Sequence, residues 1–168
     1  MDVLTSYAAS TARLGAGLTV HTHGRTPEKR LELYEFEACP FCRKTREALA
    51  ALDLEVLVHP CPKDGTRFRP GKKQFPFLRD PNTGIEMYES MDVARYLAKT
   101  YGDGTLPLGL RLGPVTTVSS MLASACRASH GRTAKKSTLP DKPLELWSYE
   151  SSPYCRLARE ALCELELP

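Results

Sequence analysis

The sequence has no strong charge bias, no long apolar run and few cysteines. Its 168 residues carry 23 Lys and Arg against 20 Asp and Glu, a net charge of +3. A balance that mild gives no footing for a nucleic-acid partner. The most apolar stretch, LPLGLRLGPVTTVSSMLASACRAS from Leu106, is interrupted by Arg111 and Pro114 and is too polar for a membrane span. Six cysteines are too sparse for a disulfide-stapled secreted scaffold. The opening, MDVLTSYAASTARLGAG, lacks the charged start and solid apolar core of a secretory signal. The thiols are therefore expected to be reduced, in the cytosol or an organelle. Acids are nearly absent after Asp2 as far as Thr26, a region rich in Ser, Thr and Ala. That composition fits either a plastid transit segment, with chloroplast localisation, or a loose N-terminal arm on a cytoplasmic protein.

What is present is globular composition, 42% hydrophobic and 26% charged, with its clearest patterning after residue 30. Leu31, Leu33, Tyr34 and Phe36 read as a strand. Pro40 suits the first turn of a helix, where its missing N–H costs nothing. Thr45, Ala48, Leu49 and Leu52 then recur on one helical face, predicting a helix over 40–52. LEVLVHP follows as a buried strand. Strand, helix and strand within about thirty residues imply a right-handed parallel crossover. QFPFLRD and IEMYES flank the turn DPNTG, where Gly84 supplies positive φ, and form a hairpin. Ser90 opens a last helix whose inner face is Val93, Ala94, Tyr96, Leu97 and Tyr101, ended by Gly102 and Gly104. A packing or linker helix is expected over 115–127, and SHGRTAKKSTLPDKP has linker composition.

The chain's end repeats this pattern. Aligning residues 31–55 with 144–168 sets Cys42 on Cys155, and thirteen of the 25 positions are identical, against about one or two by chance. Residues 144–168 therefore read as the first strand and helix of a second, truncated repeat. Ser152 stands where the first repeat has Cys39, so SPYC cannot start dithiol exchange. One strand and one helix cannot bury Leu144, Leu146, Trp147 and Tyr149. This segment is expected to dock on the first domain, remain mobile, or self-associate through its open edge.

CPFC at a strand-to-helix turn, QFP opening the next strand, and the DPNTGIEMYES hairpin together resemble the glutaredoxin-like, glutathione transferase N-terminal type of thioredoxin-fold domain. The linker LPDKPLELW resembles that of plant, algal and cyanobacterial proteins with two such domains in tandem. The resemblance implies an α/β thioredoxin-like fold in β-α-β-β-β-α order. It also implies these boundaries: residues 1–30 an arm or transit segment, 31–102 the domain, 103–143 a linker with a helix, and 144–168 the truncated repeat. Relatives carry several more residues between FRP and QFP, forming a second helix. RFRPGKKQFP is too short for it, yet the path closes. Fourteen residue steps from Cys61 to Phe75 reach up to about 45 Å, and two strand spacings need only about 10 Å.

The resemblance implies glutathione as co-substrate and assigns roles residue by residue. Cys39, at the helix N-terminus, is the nucleophile, because unpaired N–H groups and the macrodipole stabilise a thiolate. Cys42 is the resolving thiol. Pro76 matches the family's cis-proline and, with Phe75, would line the cysteinyl part of glutathione. Glu89 and Ser90 match the pair that holds its γ-glutamyl end. The expected function is a glutathione-dependent thiol–disulfide oxidoreductase acting on disulfides or mixed disulfides. A non-catalytic glutathione-binding or protein-interaction module is the alternative, and a glutathione transferase ranks third, because residues 105–143 are too few for the helical domain that lines its electrophile site. No metal is expected. His59 and Cys61 lie past a strand end in an exposed setting and do not complete a four-ligand zinc site with the cysteine pair.

Overall fold

The computed structural model describes residues 2–127 and 130–168; Ala128 and Ser129, inside the expected linker, lie outside the described residues. A four-stranded mixed sheet organises the domain. Strand β1 (Leu31–Glu35) pairs in parallel with β2 (Val56–Pro60) and antiparallel with β3 (Phe77–Asp80), which pairs with β4 (Ile85–Met87), giving the order β2-β1-β3-β4. Helix α2 (Pro40–Ala51) makes the crossover between β1 and β2, and α3 (Ser90–Tyr101) follows β4. This is the thioredoxin-like arrangement.

Period-2 burial along β1 sets the register. Leu31, Leu33 and Glu35 are buried, whereas Glu32 and Tyr34 point to the other face. A one-residue slip would invert every one of them. Leu31, Leu33, Leu78, Leu49, Leu52, Val93, Leu97 and Tyr101 form the core between the sheet and α2 with α3. Asp80, fully buried at the end of β3, accepts hydrogen bonds from Tyr101 Oη at 2.5 Å and Tyr96 Oη at 2.6 Å. Burial opposes its ionisation, but the bonds from Tyr101, Tyr96 and Asn82 outweigh that and hold its pKa low.

No helix lies between β2 and β3. The sheet face it would cover carries an aromatic row instead. Tyr34 stacks on His59 at 4.4 Å, Phe77 packs against Tyr34 and Tyr88, and Phe68 from the 61–76 connection lies 5.1 Å from His59. The expectation of an exposed His59 and Cys61 is corrected here. His59 is half-buried and Cys61 buried, because the connection turns back over the strand end and the Cys61 N–H bonds to Glu35 O at 2.6 Å.

Three further helices enclose α2. Helix α1 (Asp2–Ala12) and helix α5 (Pro114–Ala125) pack on each other; α5 lies against α2, and α1 lies against α6 (Pro153–Glu164). A short turn, α4 (Leu108–Arg111), precedes α5. The segment read as an arm or transit segment is thus packed rather than loose: Ser6 and Ala9 are buried, and Arg13 binds Glu47 at 2.5 Å. One feature of the C-terminal expectation differs. Residues 143–149 form no strand and leave Trp147 85% exposed. Helix α6, in contrast, is docked, with Glu150, Ser151, Ser152, Arg156 and Glu160 buried. The docking is ionic and hydrogen-bonded. Arg67 reaches Leu165 O, and Glu166 Oε1 accepts the Thr66 and Arg67 N–H groups.

Candidate functional site

Cys39 is the N-cap of α2, with extended backbone (φ −74°, ψ 120°), and Pro40 occupies the first helical position. A cap needs a side-chain acceptor for the orphan N–H groups of the first turn. The Cys39 Sγ fills that role, accepting the Cys42 N–H at 3.3 Å. A sulfur so placed sits at the positive end of the helix. The two thiols are driven apart. The hydrogen bond from the Cys42 thiol, helped by the Cys42 and Phe41 N–H groups, holds Cys39 below its ordinary pKa against the opposing effect of burial. Burial, with the same hydrogen bond to Cys39, pushes Cys42 well up. One turn thus holds one thiol eased toward ionisation and one held against it. Both are free, and both are buried, Cys39 with 3% of its surface exposed.

The strand register brings the proline to this turn. Tyr34 pairs with Phe77, so continuing that register sets Pro76 opposite Glu35 one step on and Phe75 opposite Phe36 two steps on. The Phe36 and Phe75 rings meet edge-to-face at 5.9 Å. The Phe75–Pro76 peptide bond is cis. Glu89 and Ser90 start α3, which packs beside α2. Ser90 is buried, whereas Glu89 is exposed and held at φ 69°, ψ 104°, a conformation costly for a non-glycine residue and concentrated at functional sites. Gln74 Nε2 donates to Glu89 Oε1 at 2.5 Å. The cysteine turn, the proline step and the start of α3 therefore converge at one edge of the sheet.

Two charged groups lie beside the thiols. Glu35 is fully buried at the end of β1, 2.5 Å from Arg46 Nη1. Burial, reinforced by Glu37 and Glu150, raises its pKa to about 7 despite Arg46. Its charge opposes ionisation of both Cys39 and Cys42. Lys44, in the first turns of α2, lies 4.9 Å over the Phe41 ring and feels the charges of Cys39 and Glu89. Burial lowers its pKa. The strand alternation puts Glu35 on the inner face, which was a usable signal. Nothing local in the sequence marks Arg46 as its buried partner.

Among the described residues no group of three or more His, Cys, Asp or Glu is arranged to hold a metal ion. Cys61 is pushed up to about 12 by burial, with Glu35 and Glu166 adding to it. Arg67, in the 61–76 connection, is committed to Ser137 and the C-terminal segment. A groove of about 910 Å³ lies between β2 and residues 142–149, with Leu57, Leu144 and Trp147 in its wall and with Glu35 and Arg46 also lining it.

Comparison with known proteins bears on the same region. Residues 33–105 match the family of the glutathione S-transferase N-terminal domain. The matched span runs from β1 to just past α3 and so contains the cysteine turn, Pro76 and the Glu89–Ser90 pair. No curated protein and no solved structure matches the chain.

Proposed function

We propose, from the premise that residues 33–105 form a glutathione S-transferase N-terminal-type domain, that this protein is a glutathione-dependent thiol–disulfide oxidoreductase. The observation that carries the reading is the placement of two free thiols within one helical turn, with Cys39 as the N-cap accepting the Cys42 N–H and the two tuned in opposite directions. The Cys39 thiolate attacks the glutathione sulfur of a glutathionylated thiol. A Cys39–glutathione disulfide forms, and the substrate sulfur leaves as a thiolate that takes a proton from water. A second glutathione thiolate then attacks the glutathione sulfur bound to Cys39. Glutathione disulfide departs and the Cys39 thiolate is restored. Cys42 provides the alternative exit: once deprotonated, it attacks Cys39 Sγ, releasing glutathione and leaving an internal disulfide. Phe75 and Pro76 would flank the cysteinyl part of glutathione. Ser90 and the first N–H groups of α3 would take the γ-glutamyl carboxylate, and Glu89 its amine.

A second reading, a non-catalytic glutathione-binding or protein-interaction module, is favoured by one observation, the 3% exposure of Cys39. Catalysis requires the edge around it to open. Glutathione-dependent reduction of a small mixed disulfide separates the two. Wild type should turn over, Cys39→Ser should be inactive, and Cys42→Ser should keep the glutathione-only route. A wild type that binds glutathione without turnover supports the second reading.

A further inference from the structure

The contacts around α2 and α6 are reciprocal. Ser120 Oγ on α5 donates to Pro40 O at 2.6 Å, and Ser6 Oγ on α1 donates to Pro153 O at 2.8 Å. Arg13 pairs with Glu47 while donating to Thr116 O and Ser119 Oγ; Arg127 pairs with Glu160 while donating to Asp2 O and Thr5 Oγ1. Arg46 binds Glu150, and Arg159 binds Glu37. Even the close approaches match. Gly17 and Gly131 both have positive φ, and a Cβ would fall 2.7 Å from Glu150 Cβ at the first and 2.6 Å from Glu37 Cβ at the second. Each of these contacts has its mate, the signature of an isologous two-fold interface. The matching pairs also align in sequence: Ser6 with Ser120, Ala9 with Ala123, Arg13 with Arg127, Gly17 with Gly131.

The repeated unit therefore begins at α1 and again at α5, not at residues 31 and 144. The two units have exchanged their N-terminal helices: the first unit's α1 sits on the second unit's α6, and the second unit's α5 sits on α2. The cysteine turn is held from across this interface. Both residues flanking Cys39 bond to the second unit, Ala38 N–H to Gly131 O at 3.3 Å and Pro40 O to Ser120. Lys44 Nζ adds a bond to Thr117 Oγ1 at 3.3 Å. We propose that the second unit positions the Cys39–Cys42 turn, with Ser120 as a positioning residue that keeps the Cys42 N–H aimed at Cys39 Sγ. Its mate Ser6 serves a turn whose N-cap is Ser152, where no thiol is activated. The part concerning thiol reactivity rests on the dithiol reading above.

The mirror contact supplies the control. In the full chain, Ser120→Ala should speed amide exchange in the turn 40–44 and leave 153–157 unchanged. Ser6→Ala should do the reverse. An effect of either substitution on its own unit's turn, or on neither turn, overturns the helix exchange as a positioning device. Site-resolved alkylation against pH reads the thiol. Ser120→Ala should raise the Cys39 midpoint by about half a pKa unit, slowing reaction below the midpoint about threefold, while Ser6→Ala leaves it in place. An unmoved midpoint in Ser120→Ala overturns the role assigned to Ser120. A wild-type Cys39 that reacts no faster than exposed Cys126 overturns the dithiol reading instead, and the crossed exchange pattern still decides the helix exchange.

Discussion

Replacing Glu35 by Gln tests the buried electrostatics where they matter for both stability and chemistry. The substitution keeps the shape and an acceptor for Arg46 and removes the titrating proton. Burial raises the folded pKa of Glu35 to about 7, from an ordinary 4.5. A carboxyl whose pKa is raised on folding binds more protons in the folded state. Its favourable contribution is complete below about pH 4.5 and is lost as pH rises through about 7. At about 1.4 kcal/mol per pKa unit, the gap corresponds to about 3 kcal/mol. Urea unfolding from about pH 4.5 to pH 8 should show wild type losing that much more stability than Glu35→Gln. Because the Glu35 charge also opposes Cys39 ionisation, the variant should alkylate faster at Cys39 near neutral pH. A stability difference between the two proteins that stays flat across this range would refute the assignment. It would mean that Arg46 keeps Glu35 ionised throughout.

Glu150 binds Arg43 at 3.1 Å, Arg46 at 2.8 Å and Arg159 at 3.0 Å in a buried cluster. Glu150→Gln leaves uncompensated buried cations and should cost about 3–5 kcal/mol of stability, measured by denaturant titration. If Ser90 holds glutathione as proposed, Ser90→Ala removes one charge-assisted hydrogen bond and should weaken glutathione binding by about 1.5–3 kcal/mol. Calorimetric titration giving unchanged affinity in both Ser90→Ala and Glu89→Ala would remove that site. Limited proteolysis should cut first within the exposed residues 138–149, where Trp147 is open to solvent and should fluoresce accordingly. The fragment bearing α6 should then stay bound to the remainder on gel filtration. Its release would show that the buried ion cluster does not hold it.

The domain from β1 to α3 was legible because its signals are local. Alternation in Leu31–Glu35, the helical spacing of Ala48, Leu49 and Leu52, the DPNTG turn and the Ser90 helix start each act over a few residues, and the structure places each element within a few residues of its predicted bounds. The convergence of Cys39, Pro76, Glu89 and Ser90 followed from that order of strands. What escaped was anything fixed by a partner distant in sequence. Arg43, Lys44, Arg46 and Glu47 look like the solvated side of α2, yet all are buried, because α1, α5 and α6 close over them. Helices α1 and α5 carry Ser, Thr and Ala rather than an apolar stripe, so periodicity could not say which partners they pack against.

The same fact explains why charge rather than an apolar seam joins the two units. Small residues such as Ser6, Ala9, Ser120 and Ala123, all fully buried or nearly so, let helix backbones approach closely but contribute little apolar area. Hydroxyl-to-carbonyl bonds and arginine forks then supply the directional contacts. Such contacts tolerate one partner arrangement and penalise others, since a misplaced buried arginine is left unpaired. The asymmetry between the units is instructive. Arg43 faces Glu150, whereas its counterpart Arg156 spends its donors on Ser6, Ser10 and the Glu150 carbonyl. Burial lowers its pKa to about 10. Glu150 thus serves both halves of the cluster while Glu37 serves Arg46 and Arg159, and the carboxylate that anchors the C-terminal segment is the one bonded to the helix that presents Cys39.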